Sequence, residues 1–482
     1  MRNSFIIYLL LVFISNFVLA QQPNPDILKG IVFSESKNFS LKSGFTENQD
    51  YASWDIIYQR LQLEVDPAVR YIKGQITSHF RNKSEDLAQI EFDLHNNLIV
   101  DSIYYRNKKT AFTHSANKIT IPFETPPAAS LTDSVTIFYQ GIPPDNENGF
   151  GSFSQTMQTG NAVPIIWTLS EPYGAMEWWP CKQSLVDKID STDIIVTSPK
   201  PYRTASNGIL LSETVNNGMR IMHWKHRYPI ATYLVAIATT NYVDYTDTLK
   251  LDDGRQINIL NFVYPQNIEL ARLKTKATVG IMDLFNRLVG EYPFAAEKYG
   301  HAQFGWGGGM EHQTMSFMYN FEFDLVAHEL AHQWFGDYIT LASWHDIWLN
   351  EGFATYMTGL AYENLLDGKW WPVWKKLNME RITSAPGGSV YVPDTTNVSR
   401  IFSSRLSYSK GAYLLHMLRW VLGDESFFEG LRNYYNDPEI ANGFARHEQF
   451  VHHMETAGDT SLISFFNDWY YGEGFPVYSL KY

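Results

Sequence analysis

The stretch that decides the fold reads His328-Glu329-Leu330-Ala331-His332, and after eighteen intervening residues comes Glu351, in Asn350-Glu351-Gly352-Phe353-Ala354. Residues four positions apart lie on one face of a helix, so both imidazoles of the first motif can reach one metal ion. Glu329 lies between them on the adjacent edge, where its carboxylate can bind a water molecule at that metal. The two motifs are therefore predicted to lie on helices that meet at a metal site.

Three side chains of these motifs form a complete set of catalytic metal ligands: His328, His332 and Glu351. Two histidines and one carboxylate leave the fourth position of a tetrahedral ion open for water, which is the catalytic form of a zinc site. The alternative, a surface helix with ordinary ion pairs, does not explain a glutamate at this offset. We therefore predict one Zn²⁺ per chain in a hydrolase of amides or esters, with Glu329 as the general base.

The composition is that of a globular protein with more than one domain. The chain has 482 residues, of which 45% are hydrophobic and 18% are charged. Domains average roughly 150 residues. The formal net charge of -13 indicates no basic surface for nucleic acid. Cys181 is the single cysteine, so an intramolecular disulfide is excluded and a buried thiol is expected.

Residues 1–20 are typical of a signal peptide. Arg2 precedes an apolar run from Phe5 to Phe17, and Val18-Leu19-Ala20 approximates a cleavage site. The run is shorter than the roughly 20 residues of a membrane-spanning helix. We therefore predict that this segment is removed and that the mature chain has no integral membrane segment. The protein is expected to be exported, which means secreted, periplasmic or at the cell surface.

The remaining chain divides into a strand-rich part and a helix-rich part. Apolar and polar residues alternate in runs between residues 54 and 245, for example from Ile56 to Val65, and Asn217-Gly218 is a hairpin signal. From about residue 270 the apolar residues recur at helical spacing, as in Leu273 to Leu288. We predict an α+β protein with an N-terminal β domain at residues 21–245 and a second domain at residues 246–470.

A glycine-rich segment precedes the metal motif and reads Gly305-Trp306-Gly307-Gly308-Gly309-Met310-Glu311-His312. Glycines allow another backbone to approach closely, and an extended chain here could pair with a substrate as an added strand. By itself such a segment is more often a loop. Its meaning depends on the motifs that follow it.

Taken together, these motifs resemble the aminopeptidase N family of zinc peptidases, the gluzincin group that also includes leukotriene-epoxide hydrolases. The family carries Gly-x-Met-Glu-Asn before His-Glu-x-x-His, and then Asn-Glu-Gly-Phe-Ala. Here the first motif reads Gly308-Gly309-Met310-Glu311-His312, and looser similarity runs from about residue 50 to residue 476. The resemblance implies an N-terminal β-sandwich or saddle domain and a thermolysin-like mixed α/β zinc peptidase domain. It also implies hydrolysis of the N-terminal residue from peptides.

The resemblance further implies how the end of the substrate is recognised. Glu311 resembles the carboxylate that holds the free α-ammonium of the substrate, and Glu171 in Thr168-Leu169-Ser170-Glu171 resembles a second anionic anchor. Two carboxylates favour one cation. A fixed distance from that cation to zinc would permit cleavage of the first peptide bond only.

The same resemblance implies roles for four more residues. Gly308 and Gly309 would bind the peptide main chain. His312 replaces the usual Asn, and both side chains can donate to a peptide carbonyl. Tyr408, in Tyr408-Ser409-Lys410-Gly411, would stabilise the tetrahedral oxyanion.

The sequence departs from the family pattern in two further places that matter for function. Leu169 stands where the family has Gln near the first side-chain pocket, so the preferred first residue is left open. Residues 471–482 are predicted to begin a C-terminal β segment that is either missing or minimal, because Val477 to Tyr482 has the pattern of a strand.

Three other activities remain as alternatives. A zinc endopeptidase would leave Glu171 and Glu311 without a cation, because a peptide interior carries no ammonium there. An epoxide hydrolase is a minor variant. A catalytically inactive peptide-binding protein is disfavoured because the metal ligands, Glu329 and Tyr408 are all present. We therefore expect peptides with a free N-terminus as partners, and the sequence predicts no oligomeric state.

Overall fold

Alternating apolar residues fold the first half of the chain into β-strands. The computed structural model describes residue 26 and residues 49–145, 152–479 and 481, so the predicted signal peptide at residues 1–20 lies outside the described residues. In Trp54–Asp66 buried and partly exposed residues alternate over most of the strand. The strands of this half are β1 Trp54–Asp66, β2 Val69–Asn82, β3 Gln89–Asp93, β4 Leu98–Tyr105, β5 Lys108–Thr110, β6 Thr113–Ser115, β7 Lys118–Pro122, β8 Thr132–Gly141, β9 Phe153–Met157, β10 Pro164–Thr168, β11 Thr192–Pro199, β12 Arg203–Ser206, β13 Ile209–Asn216, β14 Met219–His226 and β15 Ile237–Thr240.

These strands form three sheets. The largest has the order β13-β14-β11-β1-β2-β8-β4-β5, the second β12-β15-β10-β9 and the third β3-β7-β6. β1 and β11 are parallel, whereas β1 and β2 are antiparallel. The predicted hairpin is confirmed, since Asn217 and Gly218 join β13 to β14 with φ angles of 49° and 78°. Cys181 is buried as expected.

The second half combines helices with a mixed sheet, so the predicted α+β class is confirmed. Its elements are β16 Val243–Lys250, β17 Gln256–Val263, α1 Ile268–Lys274, α2 Lys276–Leu288, β18 Tyr299–Gln303, β19 Gly309–Met310, β20 Ser316–Met318, α3 Phe323–Ala331, β21 Thr340–Leu341, α4 Trp348–Asn364, α5 Trp371–Ile382, α6 Val398–Ile401, α7 Gly411–Leu422, α8 Asp424–Asn436, β22 Phe444–Ala445, α9 His447–Gly458 and α10 Ile463–Phe466. The main sheet has the order β16-β17-β18-β20-β19, which places β19 at an edge.

The main sheet of the second half begins at β16. β16 begins at Val243 and pairs with β17, so the second sheet starts shortly before residue 246. Among the described residues, no helix has both the length and the apolar character that crossing a bilayer requires.

In the second half, one strand was not predicted from the sequence, and one predicted strand is wrong. β18 is buried along its whole length, and a strand buried on both faces shows no alternation that could have predicted it. The predicted strand at Val477 to Tyr482 is wrong for residues 477–479, which are irregular. Val477 and Tyr478 are both 86% exposed, so within the described part of the chain no strand or apolar surface covers them.

Two glycine substitutions test whether the turn between β13 and β14 requires a glycine. They should change the free energy of unfolding in opposite directions. Gly218→Ala should lower the free energy of unfolding by roughly 1–2 kcal/mol, because a side chain disfavours its left-handed conformation. Gly280→Ala is the matched control, because Gly280 lies exposed within α2 and its added Cβ would meet nothing within 4 Å. That change should stabilise by roughly 0.5–1 kcal/mol. Thermal and urea unfolding measure both, and equal effects of the two changes would contradict the assignment of the turn.

Candidate metal centre

The first metal motif lies on α3, a helix that is buried along almost its whole length. His328 and Glu329 belong to its last turn, and His332 caps its C-terminal end. The two Nε2 atoms of the histidines lie 3.1 Å apart. Glu351 Oε2, from the first turn of α4, lies 3.2 Å from His328 Nε2 and 3.4 Å from His332 Nε2. The three predicted ligand atoms therefore converge on one point.

This geometry fits a tetrahedral zinc ion. Ligand atoms that lie 2.0–2.1 Å from such an ion are separated from one another by about 3.3 Å. The observed separations of 3.1 to 3.4 Å match this value. His332 Nδ1 lies 3.2 Å from the carbonyl oxygen of Phe335, and this contact holds the ring with Nε2 directed at the site.

The electrostatics of the three ligands also favour a cation. Burial lowers the pKa of His328 to about 4, which keeps this imidazole neutral and able to bind a metal. Burial also disfavours charge on His332, but Glu351 and Glu311 outweigh it and raise the pKa to about 10. Burial acts against the Glu351 carboxylate, yet His332 and His328 lower its pKa to about 2. Without a metal, the negative charge therefore draws a proton onto His332, and a metal ion would replace that proton.

Contact between two glycines brings Tyr408 to the metal ligands. A Cβ added to Gly352 would lie 3.0 Å from the backbone carbon of Gly411, so only glycine permits this approach of α4 and α7. Tyr408 lies just before Gly411 in a π-helical turn, Ser404–Lys410, a conformation frequent at functional sites. Its ring stacks at 6.0 Å from the ring of His328. Its buried hydroxyl has no hydrogen-bond partner among the described residues, so it can donate to a substrate.

Glu329 faces the edge strand β19. A Cβ on Gly309 would lie 2.2 Å from Glu329 Oε1, so the glycine leaves room for this carboxylate. Both oxygens of Glu329 are buried and have no hydrogen-bond partner in the described part of the chain. Burial, followed by the charge of Glu311, raises its pKa well above the usual range. An unpartnered carboxylate of this kind can accept a proton and release it again.

A second acidic cluster adjoins the metal ligands. Carboxylate oxygens of Glu171, Glu311 and Glu351 all lie within 4.8 Å of one another, and all three residues are buried. Burial raises the pKa of Glu311 to about 7, and burial together with the Glu311 charge raises that of Glu171 well above its usual range. Glu351 belongs to both clusters. The second cluster can therefore hold a cation immediately beside the metal ligands.

The remaining predicted residues lie on the same segment as β19. Gly308 has a φ angle of 112°, which favours glycine, and its carbonyl oxygen accepts from the amide of Tyr319 at 2.8 Å. His312 is buried, with its ring centroid 4.3 Å from that of Phe317. Gly308 and His312 therefore lie on the segment that carries Gly309 and Glu311.

The sequence analysis missed the residues that hold this segment in place. Gln333 Nε2 donates to the carbonyl oxygen of Glu311 at 3.1 Å, and its Oε1 accepts from the amide of Thr314 at 2.8 Å. Thr314 has a φ angle of 66°, which is strained for a β-branched residue. Lys298 Nζ donates to the carbonyl oxygen of Thr314 at 2.7 Å, and Gly208 of the N-terminal domain donates to its hydroxyl at 2.8 Å. These bonds lock the position of Glu311.

The sequence analysis also missed Asp337, which belongs to none of the motifs. Its carboxylate is buried, and both oxygens have no hydrogen-bond partner among the residues that the structure describes. Burial raises its pKa well above the usual range, and the charge of Glu311 adds to this effect. It adds a further acidic group to the surroundings of the metal ligands.

Two family models and several curated relatives match the sequence of the chain. The description "Peptidase M1 N-terminal domain" matches residues 51–234, and "Peptidase family M1 domain" matches residues 311–469. The chain is 26% identical over 444 residues to the alanine/arginine aminopeptidase of Saccharomyces cerevisiae, covering 84% of this chain and 49% of that protein. It is 28% identical over 371 residues to aminopeptidase M1 of Arabidopsis thaliana, covering 71% of this chain and 41% of that protein. The chain thus spans half or less of the length of these relatives.

Solved structures share the fold. An M1 zinc metallopeptidase from Deinococcus radiodurans superposes with a TM-score of 0.76 at 24% identity, covering 89% of this chain and 95% of that one. A mutant of an M1 zinc metallopeptidase from the same organism, bound to a Tyr-Ser-Ala substrate, gives a TM-score of 0.75 at 23% identity. That comparison covers 88% of this chain and 96% of the other.

The ligand assignment predicts different zinc contents for neighbouring substitutions. His328→Ala should weaken zinc binding by more than roughly 100-fold, because it removes a ligand atom. Glu329→Gln is the matched control on the same helix turn and should retain one zinc per chain. Metal analysis after dialysis against a zinc buffer measures both. Full zinc content in His328→Ala would contradict the assigned site.

Proposed function

The chain belongs to peptidase family M1, and on this premise we propose that it is a zinc-dependent aminopeptidase that removes the N-terminal residue from peptides. One observation carries the proposal: Glu351 belongs both to the metal-ligand cluster and to the carboxylate cluster with Glu171 and Glu311. A cation bound at the second cluster would therefore lie next to the metal-ligand cluster. In a peptide, only the N-terminal residue places a cation so close to a carbonyl.

The two clusters position the substrate from its free end. Glu171 and Glu311 would bind the α-ammonium, which neutralises their buried negative charge. The following main chain would extend along the edge of β19, where Gly308 and Gly309 allow close approach. His312 lies next to this edge, where it can donate to a peptide carbonyl. The first peptide bond would thus be held beside Glu329 in a reactive geometry.

Catalysis would then use two unpartnered polar groups. A zinc ion held by His328, His332 and Glu351 would activate water and polarise the scissile carbonyl. Glu329 would accept the proton of the attacking water and deliver it to the nitrogen of the leaving amine. The Tyr408 hydroxyl would donate a hydrogen bond to the oxyanion that develops on the carbonyl oxygen.

Export is a separate part of the proposal. It is supported by Arg2, the apolar run from Phe5 to Phe17 and the cleavage pattern that ends at Ala20. Sequencing the N-terminus of protein recovered outside the cytoplasm would test it, and a mature chain that begins near Gln21 is expected.

The substrate assignment is tested with peptide pairs that differ only in the N-terminus. Peptides with a free α-amine should lose single residues, whereas their N-acetylated partners should remain intact, because acetylation removes the cation that Glu171 and Glu311 bind. A chelator should abolish the reaction. Mass spectrometry follows the products. Internal cleavage of both forms would identify an endopeptidase, and zinc binding without cleavage would identify an inactive binding protein.

Glu329→Gln tests the proton-transfer role. The amide keeps the shape of the side chain but cannot accept the water proton, so kcat should fall by roughly 10²–10⁴-fold. Zinc content should remain at one per chain, which separates lost chemistry from lost metal. An unchanged kcat would rule out this residue as the general base.

Tyr408→Phe tests the oxyanion donor. Removing the hydroxyl should lower kcat by roughly 10²–10³-fold with little change in zinc content, since the hydrogen bond forms fully only in the transition state. Tyr413→Phe is the matched control: its hydroxyl bonds to the carbonyl oxygen of Lys375, and neither residue belongs to the proposed site. Equal effects of the two changes on kcat would contradict the role of Tyr408.

A further inference from the structure

The turn that carries Tyr408 has a different pitch from the helix that it enters. It is a π-helix, Ser404–Lys410, and it continues directly into the α-helix α7 at Gly411. The amide of Tyr408 donates to the carbonyl oxygen of Ser403 at 3.4 Å, beyond the usual range for such a bond. If the turn relaxed to the pitch of α7, its register would shift by one residue, which rotates a side chain by about 100°.

No hydrogen bond holds the phenol of Tyr408 in its position. Its hydroxyl is buried without a partner among the described residues, and its ring stacks at 6.0 Å from the ring of His328. The direction of the hydroxyl therefore depends on the backbone of the turn. An oxyanion donor must lie within about 2.7–3.1 Å of the oxygen that it stabilises. A displacement of about 1 Å can lower the rate by about 10²-fold.

Two cationic side chains bridge the turn from one end to the other. Arg405 lies near its start, and Nη1 of this residue donates to the carbonyl oxygens of Ala385 at 3.1 Å and of Gly387 at 3.0 Å. Lys410 ends the turn, and its Nζ donates to the carbonyl oxygen of Gly388 at 2.9 Å. Gly387 and Gly388 are consecutive, with φ angles of 70° and 78°. One loop thus binds both ends of the turn.

Lys410 also binds a second distant segment. Its Nζ donates to the carbonyl oxygen of Gly472 at 3.0 Å, and the residue is only 4% exposed. Both of its acceptors are neutral carbonyl oxygens. A buried ammonium that has such acceptors costs more free energy than one paired with a carboxylate. Its position at the end of the turn gives this buried charge a role that stability alone does not.

Shorter bonds hold the neighbours of Tyr408 without spanning the turn. The hydroxyl of Ser407 donates to the carbonyl oxygen of Ile401 at 2.6 Å, and the hydroxyl of Ser409 donates to Asn378 Oδ1 at 2.8 Å. These bonds do not involve Lys410. We therefore expect the turn to remain folded in a variant that lacks the lysine, while its span is no longer fixed.

We propose that Arg405 and Lys410 are positioning residues that keep this turn π-helical and thereby direct the Tyr408 hydroxyl at the scissile carbonyl. They act through Tyr408, and the loop at Gly387 and Gly388 supplies the acceptors that join them. The inference rests on the proposed aminopeptidase activity, and it adds the groups that align the oxyanion donor.

Lys410→Met tests the bridge in two backgrounds, the wild type and Tyr408→Phe. Methionine fills a similar volume but removes the donor. In the wild-type background kcat should fall by about tenfold or more, with one zinc per chain and KM changed by less than about twofold. In the Tyr408→Phe background no hydroxyl remains to be displaced. The same change should then lower kcat by less than about threefold.

Arg405→Lys tests the other end of the bridge with a milder change. It keeps the positive charge but loses the planar fork that reaches two carbonyl oxygens. We expect kcat to fall by about threefold or more in the wild-type background and to stay nearly unchanged in the Tyr408→Phe background. This variant decides the question if Lys410→Met does not fold, which thermal unfolding shows.

Lys188→Met is the matched control. Lys188 is also a buried lysine that donates to two carbonyl oxygens, those of Asp337 at 2.6 Å and Tyr338 at 3.2 Å. It holds a segment other than the turn of Tyr408. Any loss of kcat that it causes should therefore be the same factor in both backgrounds.

Three results would overturn the inference. An equal loss of kcat for Lys410→Met in both backgrounds would show that the lysine only supports the fold, and an unchanged kcat in the wild-type background would show that it has no role. A wild-type protein that cleaves no peptide with a free N-terminus would overturn the proposed function as well. That result is distinct, because it is seen before any variant is compared.

Discussion

Buried negative charge is the constraint on which the rest of this structure depends. Glu171, Glu311, Glu329 and Glu351 are all buried in one region of the chain, with Asp337 among their electrostatic neighbours. Removing carboxylates from water is costly unless cations or hydrogen-bond donors compensate. A metal at the two histidines and an ammonium between Glu171 and Glu311 would supply that compensation. The arrangement of the site therefore favours the binding of cations.

Holding these groups in place requires contacts that tolerate little variation. Gly309 and Gly352 have no side chain because Glu329 and Gly411 occupy the space that a Cβ would need. The strained backbone of Thr314 persists because bonds from both domains hold it, including one from Gln333 on the metal-binding helix segment. The carboxylate cluster and the metal-ligand cluster are thus held by one set of contacts, to which the N-terminal domain contributes.

Periodicity in the sequence predicted a strand-rich half and a helix-rich half, but it gives no signal where a strand is buried on both faces. The strands of the first half alternate because one face is buried and the other is not, and the hairpin at Asn217-Gly218 follows from residues that tolerate positive φ angles. β18 carries no such pattern because it is covered on both faces. The strand predicted from the alternation after Val477 is wrong for residues 477–479, because exposed residues that pair with no described strand are not held extended.

The sequence by itself determined the succession of a strand-rich and a helix-rich half and the candidate metal ligands, because His328 and His332 lie one helix turn apart and Glu351 lies in a second helical motif. Only the tertiary structure decided which carboxylates lie beside the metal-ligand cluster. Glu171 reaches it from the N-terminal half of the chain, and Gln333 holds the Glu311 segment by a hydrogen bond to its backbone carbonyl oxygen. Distances between segments far apart in the chain depend on packing, which local patterns do not encode.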